Sequence, residues 1–365
     1  MATKDSLENT LNSIPATKIS KEMIFPILDE AWELRLQQQA PIPCFVGAPG
    51  VGKTQLVYQY AQARGKEVIE LNGSAMSPTD YVAYVPERET RLLAEYLHEN
   101  LAKCCDPTFD GILFIDELHQ THPEVQKPLS KTLNQRLVGG QTLSPNCMIA
   151  TAGNRVTDKA GANRLLSMIA NRLDTIPVEV DNEALIDYFI ENSRPDITVG
   201  YLAARPYDER QDFQPHEPAF FSPRSFDRVA IKLAARRVHN PDAMLSLAQT
   251  ASSIGIGRAR DFHAFYDLVD KMPTLQEIVM NPQECRMSSK LDEPCATSCM
   301  LSVSMTEKTF PSIAEYLQRF PISMQILYLK LANRREPECR KFAGFSKWVM
   351  KPEVRAAILD KKVVK

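Results

Sequence analysis

The sequence predicts an α/β protein in which apolar strands alternate with helices through the first half, followed by a largely helical second half. Three stretches predict it. The apolar run Ile42–Val46 passes through Gly47-Ala48-Pro49-Gly50-Val51-Gly52-Lys53-Thr54 into helical spacing, the strand, loop and helix of a phosphate-cradling motif. Gly111-Ile112-Leu113-Phe114-Ile115 is an apolar strand ending in Asp116-Glu117, and Cys147-Met148-Ile149-Ala150-Thr151-Ala152 is another, ending at Gly153-Asn154-Arg155. At 365 residues the chain exceeds one core and calls for two or three domains.

Taken in order, residues 1–20 are polar and without period, so a flexible N-terminal arm is expected. Met23, Ile24, Ile27, Leu28, Ala31, Trp32 and Leu36 recur at helical spacing over 21–39. After the phosphate loop, 55–64 continues as helix and 67–71 is a short strand. Residues 72–86, punctuated by Gly73, Ser77-Pro78 and Pro86, read as a loop carrying Asp80, Tyr81 and Tyr84 outward. Tyr81, Val82 and Tyr84 suit either a grip on polypeptide or packing against their own domain. A helical pattern is read over 90–105. Residues 123–137 read as a helix, and Gly139-Gly140 suits a tight hairpin over 138–143. A short helix over 165–169 and a fifth strand over 175–180 complete this half.

The chemistry follows from these positions. Backbone N–H groups of Gly47, Ala48, Gly50, Val51 and Gly52 close around phosphates, with Pro49, which has no N–H, completing the loop and Lys53, Thr54 and Gln55 opening the next helix. The Lys53 ammonium reaches the β- and γ-phosphates, and the Thr54 hydroxyl ligates Mg²⁺. Asp116 holds the same ion through water, and Glu117 polarises the attacking water. The acids follow the loop by about sixty residues, the pairing that hydrolysis needs. Asn154 is placed to hydrogen-bond the γ-phosphate or that water. Arg172, and second to it Arg164, suits reaching into a neighbour's site as an arginine finger. His119 and His122 read as helix-start polar residues, with a metal role as the alternative.

This order of parts resembles the AAA+ ATPases, and its details resemble their MoxR-like, dynein-related branch. The resemblance rests on the phosphate loop, the Asp116-Glu117 strand, the Asn154-tipped strand and Arg172 at a helix end. It also rests on Ser77-Pro78-Thr79-Asp80 leading to Pro86, on the hairpin from Arg136 to Leu143, and on Phe221-Ser222-Pro223-Arg224-Ser225. It implies a parallel five-stranded αβα sandwich over 21–181, a helical lid over 182–270 and a small, mostly helical C-terminal extension over 271–365. It further implies that Arg224 meets the nucleotide from the lid. The expected assembly is a ring, usually hexameric, that hydrolyses ATP with Mg²⁺ and acts as a chaperone-like remodeler or assembly factor on a protein client. A partner carrying a von Willebrand factor A domain belongs to the same picture. The ending Ala152-Gly153-Asn154-Arg155 departs from the family's usual Gln-Asn-Pro.

In the second half, 183–191 reads as helix and 195–218, rich in Pro, Asp and Arg, as a long exposed connection. Ser222 and Pro223 start a helix to 238, and Pro241 starts another to 253. An amphipathic stretch over 260–269 and helices over 310–320 and 322–334 follow. Cys285, Cys295, Cys299 and Cys339 are ordinary thiols or, alternatively, a zinc site. Lys330, Arg334, Arg335, Arg340 and Lys341 form a solvated face or, alternatively, a nucleic-acid contact.

With 44% hydrophobic and 24% charged residues and a net charge of -2, the composition is that of a globular protein with no global pull toward nucleic acid. Eight cysteines without a CxxC pair, no secretory signal and no apolar run of membrane length point to the cytoplasm. A nucleic-acid-acting loader or translocase, and a nucleotide-gated scaffold with slow turnover, are the competing functions. Glu117 argues against the scaffold, which needs no water-activating acid.

Overall fold

The computed structural model describes residues 17–19, 21–37, 40–89, 92–155, 165–213, 217–241, 243–269, 272–287, 292–303 and 305–359. The chain divides into two units, 1–181 and 182–365.

In the first unit a short strand β1 (Thr17–Ile19) leads to helix α1 (Lys21–Leu34) and strand β2 (Ile42–Val46). Helix α2 (Lys53–Arg64) and strand β3 (Glu67–Asn72) follow, then α3 (Pro78–Tyr81), β4 (Val82–Glu87), β5 (Leu92–Leu97) and α4 (Glu99–Cys105). Next come β6 (Gly111–Asp116), α5 (Pro123–Gln135), the two short strands β7 (Leu137–Val138) and β8 (Gln141–Thr142), and β9 (Cys147–Gly153). Helix α6 (Ser167–Ala170) and strand β10 (Leu173–Val180) close the unit.

Among the described residues the main sheet runs β1-β10-β2-β9-β6-β3, with every neighbouring pair parallel. Five of these strands are those expected from sequence. The sixth, β1, adds to the edge from within the stretch read as a flexible arm, pairing Thr17 with Val178 and Ile19 with Val180.

A parallel sheet must be covered on both faces, and alternation along the strands sorts the side chains. Phe45, Ile112, Phe114, Met148 and Ala150 pack with Ile24 and Leu28 of α1 and Leu56, Val57 and Tyr60 of α2. Cys44, Leu113, Ile115 and Ile149 pack on the other face with Leu101 of α4 and Leu129 and Leu133 of α5. The result is the αβα sandwich.

Two expectations fail between β3 and β6. Residues 92–97 form a strand instead of a helix, because they pair antiparallel with β4, Val82 opposite Leu97 and Tyr84 opposite Glu95. Cross-strand partners decide such a short apolar run, whose spacing fits either form. Residues 72–86 are also not all loop. A capping box of Ser77 and Asp80 starts α3, which buries Tyr81 with its hydroxyl hydrogen-bonded to Thr132. Tyr84 alone of the two tyrosines is carried outward.

The second unit is helical: α7 (Asn182–Glu191), α8 (Asp196–Ala204), α9 (Glu209–Asp212), α10 (Pro223–Arg237), α11 (Leu247–Ile254) and α12 (Ile256–Val269). After them stand α13 (Leu275–Met280), α14 (Asp292–Val303), α15 (Phe310–Leu317), α16 (Ile322–Arg335), α17 (Phe345–Val349) and α18 (Pro352–Leu359). The expected exposed connection over 195–218 is overturned for α8, whose Ile197, Val199, Tyr201 and Leu202 are buried. Tyr201 sits in an aromatic cluster, 5.4 Å from Phe226 and 5.1 Å from Phe262 between ring centroids. Helix α11 begins at Leu247 under a Ser246 cap, later than the expected start at Pro241.

The basic stretch of α16 is occupied inside its own unit. Lys330 pairs with Asp187 and Arg335 with Asp196, while Arg334 donates to the carbonyls of Ile190 and Glu191 at the end of α7. Among the described residues no helix is long and apolar enough to cross a membrane.

Candidate nucleotide site

The parallel register brings the C-terminal ends of β2, β9 and β6 side by side. Each end carries one part of the predicted site. From β2 the chain enters the loop 47–52, whose Gly50 and Gly52 take positive φ, 80° and 100°, which side chains rarely tolerate. Gly47 is required for a different reason. A Cβ there would stand 2.6 Å from the Val178 carbonyl oxygen of β10.

Lys53 opens α2 and is almost fully buried, 6% exposed. Its ammonium donates to the carbonyls of Gly47 (2.7 Å) and Ala48 (2.9 Å) and to Asn154 Oδ1 (3.1 Å). The amide of Asn154 in turn donates to Glu117 Oε2 at 2.7 Å. Cation, amide and carboxylate thus form one chain. Beside it, Thr54 Oγ1 donates to Asp116 Oδ2 at 2.6 Å, and Asp116 Oδ1 accepts from the Glu117 backbone N–H at 2.8 Å. A hydroxyl and a carboxylate oxygen in contact are the hard oxygen donors that suit Mg²⁺.

Glu117 has a left-handed backbone, φ 53°, uncommon outside glycine. The turn aims its carboxylate back across the strand ends, where Gln120 Nε2 donates to the same Oε2 at 2.9 Å. Gly73, at the end of β3, lets this turn approach: a Cβ there would lie 2.3 Å from Thr121 Oγ1 and 3.1 Å from the Asp116 carbonyl oxygen.

The structure therefore brings together the loop 47–52, Lys53, Thr54, Asp116, Glu117 and Asn154. Gln55 is an exposed residue on the first turn of α2. Arg172 precedes β10, and because Leu173 is registered with Ile42 it lies at the N-terminal ends of the strands, across the sheet from the phosphate loop. Arg224 is exposed on the first turn of α10, in the second unit. Arg164 lies outside the described residues. His122 caps α5, its ring accepting from the Glu124 N–H. His119 is instead drawn inward, and burial together with the Lys53 charge holds its imidazole below the usual histidine range.

Sequence reasoning missed Gln120 as a partner of Glu117. Its spacing of three from Glu117 was the available signal, legible only once the turn between them is known.

Residues 43–185 match the family model described as "ATPase family associated with various cellular activities (AAA)". This segment is similar to the ATPase domains that the family model describes. It holds five of the six strands of the main sheet, all but β1, and its boundaries take in every group of the hydrogen-bonded chain. No curated protein matches the sequence. Among solved structures, the chain is similar to NtrX from Brucella abortus in complex with ADP, at 15% identity over 98% of this chain and 71% of that one, with a TM-score of 0.39. A second NtrX structure from Brucella abortus matches at 14% identity over 96% and 72%, also with a TM-score of 0.39.

Proposed function

We propose that this AAA protein hydrolyses ATP in a MoxR-like ring of copies, six by resemblance, and spends the energy as a chaperone-like remodeler or assembly factor on a protein client. A partner with a von Willebrand factor A domain belongs to this reading. The observation that carries it is the chain Lys53–Asn154–Glu117 alongside Thr54–Asp116. Lys53 and the backbone of 47–52 hold the phosphates, and Thr54 and Asp116 would hold Mg²⁺. When bound, that ion offsets phosphate charge. Glu117 takes the proton of the attacking water, and Asn154, bonded to both lysine and glutamate, couples phosphate contact to the position of that base.

Arg172 supports the ring. An always-charged fork at the far end of the sheet cannot serve its own loop but suits a neighbour's. The β4–β5 ribbon supports a protein client, since Tyr84, Leu92, Leu93 and Tyr96 are all more than half exposed there, at 60%, 66%, 64% and 54%.

Glu117→Gln is expected to keep nucleotide affinity and to lose turnover by about 10² or more, while Lys53→Ala loses binding; phosphate release and titration with a fluorescent ADP read the two. Normal turnover by Glu117→Gln removes its assigned role. Mixing Arg172→Ala with Lys53→Ala protein is expected to restore part of the activity, as intact fingers meet intact pockets. Mixed samples no more active than either variant leave Arg172 outside the site.

A further inference from the structure

His119 is not used by the chemistry above, yet it lies inside the site. It belongs to the 3₁₀ turn Leu118–Gln120 that follows the two acids. Its ring stands against Gly153, the last residue of β9, so closely that a Cβ on that glycine would be 2.0 Å from Nδ1, 3.0 Å from Cε1 and 3.1 Å from Cγ. The imidazole occupies the place a side chain at 153 would take. Its Nδ1 is buried and finds no hydrogen-bond partner among the described residues.

An unmade hydrogen bond at a buried nitrogen is destabilising, because the group has given up water without a replacement. Packing alone is served as well by leucine or methionine, which carry no such cost. What the imidazole adds is a flat, stiff body of fixed thickness between two elements whose separation matters. On one side is the turn that holds Glu117; on the other is the strand end that presents Asn154. These two side chains meet at 2.7 Å, and Asn154 meets Lys53 at 3.1 Å. The same strand end accepts the N–H of Gly47, at 3.4 Å to the Gly153 carbonyl.

We infer that His119 is a positioning residue for hydrolysis, a spacer against Gly153 that sets the distance between the Glu117 turn and the Asn154 strand end. The inference rests on the ATP-hydrolysis reading. His119 touches no reacting atom; it acts through Glu117 and Asn154. Gly153 is its obligate counterpart, because no other residue leaves room for the ring.

The test compares the full-length protein with His119→Ala, Gly153→Ala and the double variant, measuring kcat and KM for ATP with Mg²⁺, fluorescent-ADP affinity and thermal unfolding. His119→Ala is expected to lower kcat about tenfold or more with affinity held within about threefold, since a small displacement of catalytic groups costs rate before binding. Gly153→Ala is expected to lower kcat as far, and to do so much less in the His119→Ala background, where the methyl enters the vacated space. A kcat within about threefold of wild type in His119→Ala, additive effects in the double variant, or equal losses of affinity and rate would each overturn the inference. If His119→Ala does not fold, His119→Gln is read by the same criteria. Wild-type protein that binds nucleotide without turnover overturns the hydrolysis reading and this inference with it. Active wild type with a silent His119→Ala overturns this inference alone.

Discussion

At Gly47 the obstacle to any side chain is backbone: the Val178 carbonyl oxygen belongs to β10, which pairs with β2 over Leu173–Pro177 and with β1 from Val178 on. Relief requires moving a strand of the central sheet, whereas a collision with the tip of a side chain is relieved by a rotamer change. Gly52 differs, with nothing near its Cβ position and only its φ of 100° to forbid one. Gly47→Ala is therefore expected to cost the full-length chain about 1–3 kcal/mol, the range for overpacking a close-packed interior. Urea unfolding checks this, and an unchanged midpoint would contradict it. The same scale shows how the buried Lys53 is held: its ammonium donates to two backbone carbonyls and to an amide oxygen.

Elements were legible in the sequence where a local signal decides them. The glycine spacing of 47–52 marks β2 and α2, and the twin acids mark the end of β6, because each needs its residues at fixed separations. Leu92–Leu97 was not legible as a strand, since only its pairing with β4 separates strand from helix. Helix α8 was hidden by its ends: Pro195 precedes it, Asp196 opens it and Arg205-Pro206 follow it, while the buried middle is apolar. The reading of His119 as a helix-start polar residue misses its place in the site because its neighbour Gly153 meets it only when β9 lies beside β6, while Gln120 meets Glu117 only through the turn between them. The basic end of α16 was ambiguous for a like reason, and its answer is a cap. Arg334 satisfies the last carbonyls of α7, where a cation also complements the helix dipole. Arg334→Ala is expected to lower stability by about 1–2 kcal/mol, measured by thermal unfolding, with Arg340→Ala as the control expected to leave it within about 0.5 kcal/mol. Equal effects from the two would remove the capping role.

Over the whole chain, each unit carries a core of its own: the two-faced sheet in 1–181, and in 182–365 the aromatic cluster around Tyr201 and Phe226 with the stacked Tyr328 and Trp348 near the end. The 182–365 segment made alone is expected to give a helical circular-dichroism spectrum and one cooperative thermal transition; a gradual, transition-free melt would show that its helices need the rest of the chain. The two units join one residue beyond β10, at Asp181, which is immediately followed by α7. That strand begins just after Arg172, bears on Gly47 through Val178 and hands the chain to the second unit. A stiff ribbon loaded at one end carries displacement along its length. Within the first unit β10 is thus a shaft with two couplings, Arg172 at its start and Val178 against Gly47, so that a shift of the strand along its axis displaces the wall of the phosphate loop.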